Sequence, residues 1–367
     1  MWSASGKRFA PVTQRTLVVK VGTSLLRAGD EFLQALAANL SAERQRGTRL
    51  LLVTSGAVGL GCNELGLSQR PQLVEELQAA AAIGQGQLMA RYDAVFRPHG
   101  QTVAQVLLTR SDLSSRRRFI KASRTLLQLL SWDVLPIINE NDTLATEELR
   151  FGDNDTLSAL VAVAIGADEL LLLTDVDQLY SADPKANADA RPIREVRDLD
   201  ELNALDAAAG DGGRWGTGGM TTKLAAARIA TASGIQVRLG NGRDPAVVRA
   251  LLSGGDHGTR FLPSPEPIPD RKGWLAHALV PEADVLIDAG AEKALMEQGG
   301  SLLAVGVSRI EGSFEAQQPV RIRSSSGQEL ARGLSRCSSD QLRGVVVHRD
   351  QLVITAHLSR PTIPPPP

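Results

Sequence analysis

From residue 16 to about residue 260, short apolar runs alternate with longer stretches of helical periodicity. Few folds accept that order. The apolar runs are Leu17–Val21, Leu50–Thr54, Val103–Leu108, Val134–Ile138, Leu170–Thr174 and Gln236–Leu239, and they read as strands. Phe32–Arg46, Val74–Phe96, Arg117–Leu130, Thr156–Ile165 and Thr221–Ala232 lie between them and read as helices. Helix-sized segments between buried strands imply right-handed crossovers and a mostly parallel sheet covered on both faces. The expected fold class is therefore α/β, a three-layer αβα sandwich. In such sheets ligands bind beyond the carboxyl ends of the strands. Most of the polar clusters of this chain fall there or at a helix start.

The alternation stops at a proline-rich break, because Leu262 to Asp270 holds four prolines and few apolar residues. Beyond it Val285–Ile287, Leu302–Val307, Val320–Arg323 and Gly344–His348 read as short strands with glycines scattered between them. The expected division is an α/β domain over 16–261, a linker over 262–281 and a small β-rich domain over 282–360. The tail Pro361–Pro367 contains five prolines and is expected to be extended or disordered.

Charge and cysteine content narrow the setting. Forty Lys and Arg against 41 Asp and Glu leave a net charge of -1, no footprint for a nucleic acid or a membrane surface. Two distant cysteines, Cys62 and Cys337, make no disulfide framework and have no metal-ligand spacing. Met1 to Arg15 lacks the apolar core of a signal peptide, and no apolar run is long enough to span a bilayer. A cytoplasmic location is expected.

Three glycine-containing turns carry the chemistry. Lys20 ends the first strand just before Gly22-Thr23-Ser24, and Ser55-Gly56-Ala57 follows the second. The third, Gly216-Thr217-Gly218-Gly219-Met220-Thr221-Thr222-Lys223, runs into a helix. Backbone N–H groups at a helix start bind anions, since they are unpaired and the helix dipole is positive there. Two lysines at such turns suit a polyphosphate whose charge must be compensated during transfer. The third turn is not a P-loop, because Thr222 rather than glycine precedes Lys223.

Two polar turns complete the set. Asn139-Glu140-Asn141-Asp142 follows the fourth strand, and Gly152-Asp153-Asn154-Asp155 opens the next helix. Thr174-Asp175-Val176-Asp177 follows the fifth strand, with carboxylates suited to a metal or a nucleotide. Each of these has a plain structural reading as well: a solvated strand-end lysine, an N-cap serine, an Asx turn. No His-based catalytic arrangement is present and the histidines have no ligand spacing; a Mg2+ accompanying a polyphosphate is held mostly by phosphate oxygens and water, so no dedicated protein metal site is expected.

Taken in order, the motifs Val18–Ser24, Val53–Ala57, Asn139–Asp142, Gly152–Asp155, Leu172–Asp175 and Gly216–Lys223 resemble the amino-acid kinase family, and within it the glutamate-phosphorylating members. The β-rich segment with Ser301–Val307 resembles a PUA domain. The resemblance implies ATP-dependent phosphorylation of the γ-carboxylate of L-glutamate, with Mg2+, as the first step of proline biosynthesis. It implies catalytic roles for Lys20, Lys223 and Asp155, and contacts to glutamate from Ser55, Asp142 and Asn154. It implies ATP contacts from Lys20, Thr174, Asp175, Thr217, Gly218, Gly219, Met220, Thr221, Thr222 and Lys223. The expected partners are glutamate, ATP, a γ-glutamyl phosphate reductase, further copies of the chain, and proline as feedback inhibitor.

Two rival readings compete. Another kinase of the family would act on aspartate, acetylglutamate or a nucleotide; the paired Asn/Asp turns and the appended β domain favour glutamate. An RNA-binding protein is the rival from a different class. Glu282 to Arg360 holds ten acidic residues against nine Lys and Arg, a poor surface for a phosphate backbone.

Overall fold

The computed structural model describes residues 14–27, 29–109, 112–113, 116–144, 154–182, 184, 187, 189–210, 219–267 and 281–356. Eight strands of the N-terminal part form one sheet: β1 (Thr16–Val21), β2 (Arg49–Val53), β3 (Val103–Leu108), β4 (Leu135–Glu140), β5 (Glu169–Thr174), β8 (Glu195–Val196), β9 (Gln236–Asn241) and β10 (Thr259–Phe261). Their order is β3-β4-β2-β1-β5-β9-β10-β8. The six strands expected from the sequence are parallel neighbours, and only the β9–β10 pairing is antiparallel. β6 (Leu179–Tyr180) and β7 (Pro192–Ile193) pair separately.

Strand alternation divides the core into two layers. Val18, Leu51, Val53, Ile138, Leu170 and Leu172 enter one apolar cluster with Leu126, Leu160 and Leu224. Those three belong to helices α5 (Arg116–Ser131), α6 (Asn154–Ile165) and α8 (Gly219–Ala232). Leu17, Val19, Leu50, Leu52, Leu171 and Leu173 enter the other, with Leu36, Leu88 and Leu251. These come from α2 (Asp30–Gln45), α4 (Val74–Phe96) and α9 (Pro245–Leu252). The expected αβα sandwich follows from this split. Further helices among the described residues are α1 (Thr23–Leu26), α3 (Ala57–Glu64), α7 (Leu199–Gly210) and α10 (Ala289–Gln298).

The C-terminal strands form a second sheet of β11 (Ala283–Ile287), β12 (Leu302–Leu303), β13 (Val307–Gly312), β14 (Pro319–Arg323), β15 (Glu329–Ser335) and β16 (Val345–Ile354). Their order is β12-β16-β15-β14-β11-β13. The single strand expected over Leu302–Val307 is instead a two-residue bridge, a 3-10 turn at Ala304–Gly306, and the start of β13. β15 and α10 were not foreseen. This sheet has its own core around Val285, Ile287, Val320, Ile322, Val346 and Val347, while Leu334 and Val353 are buried in the α5–α6–α8 cluster of the larger sheet. The proline tail lies outside the described residues.

Candidate active site

Lys20 shares the parity of Val18, so strand geometry aims it at the layer that holds α6 and α8. Its ammonium, on a residue 6% exposed, sits 2.5 Å from Asp155 Oδ1 in the first turn of α6. Asp155 Oδ2 accepts from Lys223 Nζ at 3.2 Å and from Thr222 Oγ1 at 2.7 Å, both in the first turns of α8. Lys223 Nζ also donates to Gly219 O at 2.9 Å. Three segments far apart in sequence thus meet on one buried carboxylate. Burial opposes its ionisation, but Lys20 and Lys223, with hydrogen bonds from Lys20 and Thr222, outweigh that and hold the carboxyl below its ordinary value. The N-terminus of α6 adds a favourable dipole.

β2 feeds the neighbouring turn. Thr54 extends the strand by one residue, on the opposite face from Val53, and its Oγ1 lies 2.7 Å from Tyr92 OH of α4. Burial pushes the Tyr92 phenol above its ordinary value, so it stays neutral. Ser55 Oγ donates to Val21 O at 3.4 Å, and Gly56 adopts φ +94°, the left-handed cap that starts α3. α3 then crosses α4 in near-backbone contact: a Cβ on Gly61 would lie 1.8 Å from Ala80 O, and one on Gly84 1.8 Å from Ala57 O. This crossing fixes where the start of α3 sits.

A cavity of about 700 Å3 opens beside these turns, with Ser55, Gly56, Asn139, Asp142 and Asn154 in its wall. Arg27, Arg70 and Arg91 line it as well. Asn154 Nδ2 donates to Thr54 O at 2.8 Å and to Asn139 Oδ1 at 3.1 Å. Asn139 Nδ2 donates to Gln85 Oε1 at 2.8 Å. Burial pushes the Asp142 carboxyl up to about 6, with Arg70 opposing.

The expected site residues therefore gather in two adjoining groups. Ser55, Asp142 and Asn154 line the cavity; Lys20, Asp155, Thr222 and Lys223 form the ion cluster; consecutive Asn154 and Asp155 join the two. Thr174 and Asp175 lie at the carboxyl end of β5, next to β1, where Thr174 Oγ1 donates to Asp175 Oδ1 at 3.2 Å and Asp175 pairs with Arg243 at 3.8 Å. Gly219, Met220 and Thr221 open α8. Thr217 and Gly218 lie outside the described residues, as do Gly152 and Asp153. Sequence reasoning missed Gln85, Thr54 and the cavity arginines. Gly84, a glycine inside a long helical pattern, was the available sign of a close approach at this point.

The sequence pattern of the amino acid kinase family matches residues 15–241, and that of the PUA domain matches residues 283–354. The chain belongs to the amino acid kinase family and carries an appended PUA domain. Among its relatives, the glutamate 5-kinase of Prochlorococcus marinus strain MIT 9313 is 60% identical over 354 residues, covering 92% of this chain and 98% of that protein. The glutamate 5-kinase of Synechococcus sp. strain CC9902 is 59% identical over 351 residues, with the same coverage. A solved structure, carbamate kinase from Giardia lamblia bound to AMP-PNP, aligns with a TM-score of 0.49 at 20% identity, over 69% of this chain and 99% of that one.

Among the described residues no three His, Cys, Asp or Glu side chains are grouped to hold a metal ion. Both oxygens of Asp155 are already engaged with lysines. Among the described residues no helix is long and apolar enough to cross a membrane.

Proposed function

We propose that this chain transfers the γ-phosphoryl group of ATP to the γ-carboxylate of L-glutamate, giving γ-glutamyl phosphate and ADP, the first step of proline biosynthesis. The observation that carries the reading is the Lys20–Asp155–Lys223 cluster adjoining a cavity lined by Ser55, Asp142 and Asn154. Glutamate 5-kinase relatives matched over nearly their whole length support the choice of substrate.

The chemistry needs no general base. A glutamate side chain has a pKa of about 4.3, so at neutral pH the nucleophile is already an anion. A γ-carboxylate oxygen attacks the γ-phosphorus, the bond to the β,γ-bridging oxygen breaks, and ADP leaves with that electron pair. The obstacle is the approach of an anion to a polyanion. Lys20 and Lys223 compensate that charge, and Asp155 holds both ammonium groups in place before substrate arrives. The N-termini of α6 and α8 add N–H donors. Asp142 and Asn154 take the ammonium of glutamate, and Ser55 adds a hydroxyl. The nucleotide is assigned to Thr174, Asp175 and the loop Thr217–Lys223. Mg2+ enters as part of the MgATP substrate, held by phosphate oxygens and water.

Domain boundaries of 16–261 for the kinase unit and 282–360 for the PUA unit, with a linker over 262–281, belong to this proposal. So do a cytoplasmic location, self-assembly, inhibition by proline, and a reductase that consumes the reactive acyl phosphate. For these last three the support is the family resemblance.

The test is hydroxylamine trapping of the acyl phosphate. Purified protein with MgATP and L-glutamate should yield γ-glutamyl hydroxamate, with ADP released in equal amount. Product from aspartate or N-acetylglutamate, with none from L-glutamate, would overturn the assignment.

A further inference from the structure

We infer that Gln85 is a positioning residue for amino-acid recognition, acting through Asn139 to fix the amide orientation of Asn154. The inference rests on L-glutamate being the substrate and goes beyond the residues assigned to contact it.

The argument starts from one fixed point. Thr54 O is a backbone carbonyl and can only accept. The side-chain amide of Asn154 lies 2.8 Å from it and must therefore present Nδ2. The reverse orientation would set two acceptors against each other. The second Nδ2 hydrogen then goes to Asn139 Oδ1 at 3.1 Å. That in turn directs Asn139 Nδ2 toward Gln85 Oε1 at 2.8 Å. A single main-chain carbonyl thus orients three amides in series, and all three side chains are buried. Such networks rigidify when their members point one way, and an unpaired buried group is costly.

Both ends of the series are open. Asn154 Oδ1 and Gln85 Nε2 are buried with no hydrogen-bond partner. With both its hydrogens spent on Thr54 and Asn139, Asn154 has only an acceptor to offer. Asn154 shares the cavity wall with Asp142, a carboxyl that burial holds well above its ordinary value. An unpaired acceptor beside a reluctant anion is complementary to an ammonium group, which supplies several N–H donors and one positive charge. Gln85 lies in α4, next to Gly84, whose contact with the start of α3 holds this part of the helix close to the site. Without the Gln85 acceptor, Asn139 is free to turn its amide over and face Asn154 with a donor. Asn154 then loses one of the two contacts that set its orientation.

The experiment compares Gln85→Leu and Gln85→Glu with the parent, using L-glutamate and glutarate, the same diacid without the ammonium group. Glutamate at residue 85 retains an oxygen that accepts from Asn139 whether or not it is ionised. Gln85→Leu should raise the KM for L-glutamate about tenfold, the scale of one lost hydrogen bond. Its KM for MgATP and its kinetics with glutarate should stay near parental values, and Gln85→Glu should recover most of the loss. Should Gln85→Leu not fold, the isosteric Gln85→Met carries the same comparison. Equal losses with L-glutamate and glutarate, or no loss at all, would overturn the relay while leaving the kinase assignment standing. A parent enzyme that forms no hydroxamate from L-glutamate would overturn both.

Discussion

Replacing Asp155 with asparagine tests the ion cluster directly, because it keeps the shape of the side chain while removing its charge and one of its two acceptors. In the parent, one carboxylate is shared by two ammonium groups, at 2.5 Å and 3.2 Å on its two oxygens. All three side chains are largely buried, with 8%, 5% and 14% exposure for Lys20, Asp155 and Lys223. Removing one member of a buried ion pair costs about 3–5 kcal/mol, mostly from the charge left behind. Here two positive charges are left. Bound through opposite oxygens of one carboxylate, they lie no more than about 8 Å apart, and at an effective dielectric of 20 they repel by about 2 kcal/mol. The variant without nucleotide should therefore melt well below the parent. MgATP supplies the missing negative charge, so it should raise the melting temperature of the variant more than that of the parent. For the same reason its KM for MgATP should stay level or fall. Turnover should drop by about 10²–10³-fold, because lysines no longer held in place clamp the ground-state phosphates instead of the transferring group. Asp155→Asn with near-parental kcat, or with equal thermal shifts on adding MgATP, would refute the reasoning. Acid stability gives a parallel check. The folded-state carboxyl lies below its ordinary 3.8, so its contribution is complete above that value and is lost as pH falls through the lower folded value. The variant should lack that part of the acid transition.

Three further outcomes are expected. Lys20→Ala or Lys223→Ala should each lower kcat by about 10²-fold or more in a variant that still melts cooperatively, on the scale of one preorganised electrostatic donor. With Asp142 at about 6 in the free enzyme, log kcat/KM for L-glutamate should fall with unit slope below that pH, since only the ionised form attracts an ammonium. Asp142→Asn should lose that limb and raise the KM for glutamate far more than that for ATP. A chain ending near Asp270 should retain turnover per folded molecule, because every residue assigned to chemistry precedes residue 224. Its melting temperature should fall, since Leu334 and Val353 are buried in the cluster it would uncover.

The central strands of the larger sheet were legible because they are buried on both faces. Leu17–Val21, Leu50–Thr54 and Leu170–Thr174 have no solvent face to blur their apolar signal, and they fall within one residue of β1, β2 and β5. The shortest strands gave no such signal. β8 and β10 are two and three residues long and take their place from pairing rather than from composition. In the PUA unit, β15 contains Ala331, Gly333 and Ser335, small residues with weak strand propensity. Gly333 is there because Val347 and the backbone of Gln351 press against it, a long-range contact that no local pattern records. The site divides in the same way. Lys20 was visible as a lysine at the end of an apolar strand, and Lys223 as the end of a glycine-rich turn. Gln85 was invisible, since a glutamine in an alanine-rich helix looks like any surface position until the helix is packed.

The adjacency of Asn154 and Asp155 carries a consequence for how the two substrates are coupled. Asn154 faces the cavity network and Asp155 the two lysines, yet both sit in the first turn of one helix. Every residue of α6 from Asn154 to Val163 is buried, and the helix packs on α5, α8 and β1. A displacement of this buried helix carries both residues with it. Strain at the amino-acid end is therefore felt at the phosphate end through about one residue of helix, a rise of about 1.5 Å. Under the proposed function, the element that bears a residue assigned to the nucleophile also bears the carboxylate that holds both lysines. On that assignment one helix aligns nucleophile and phosphoryl group, where separate loops would have to be ordered independently, each at a cost in conformational entropy.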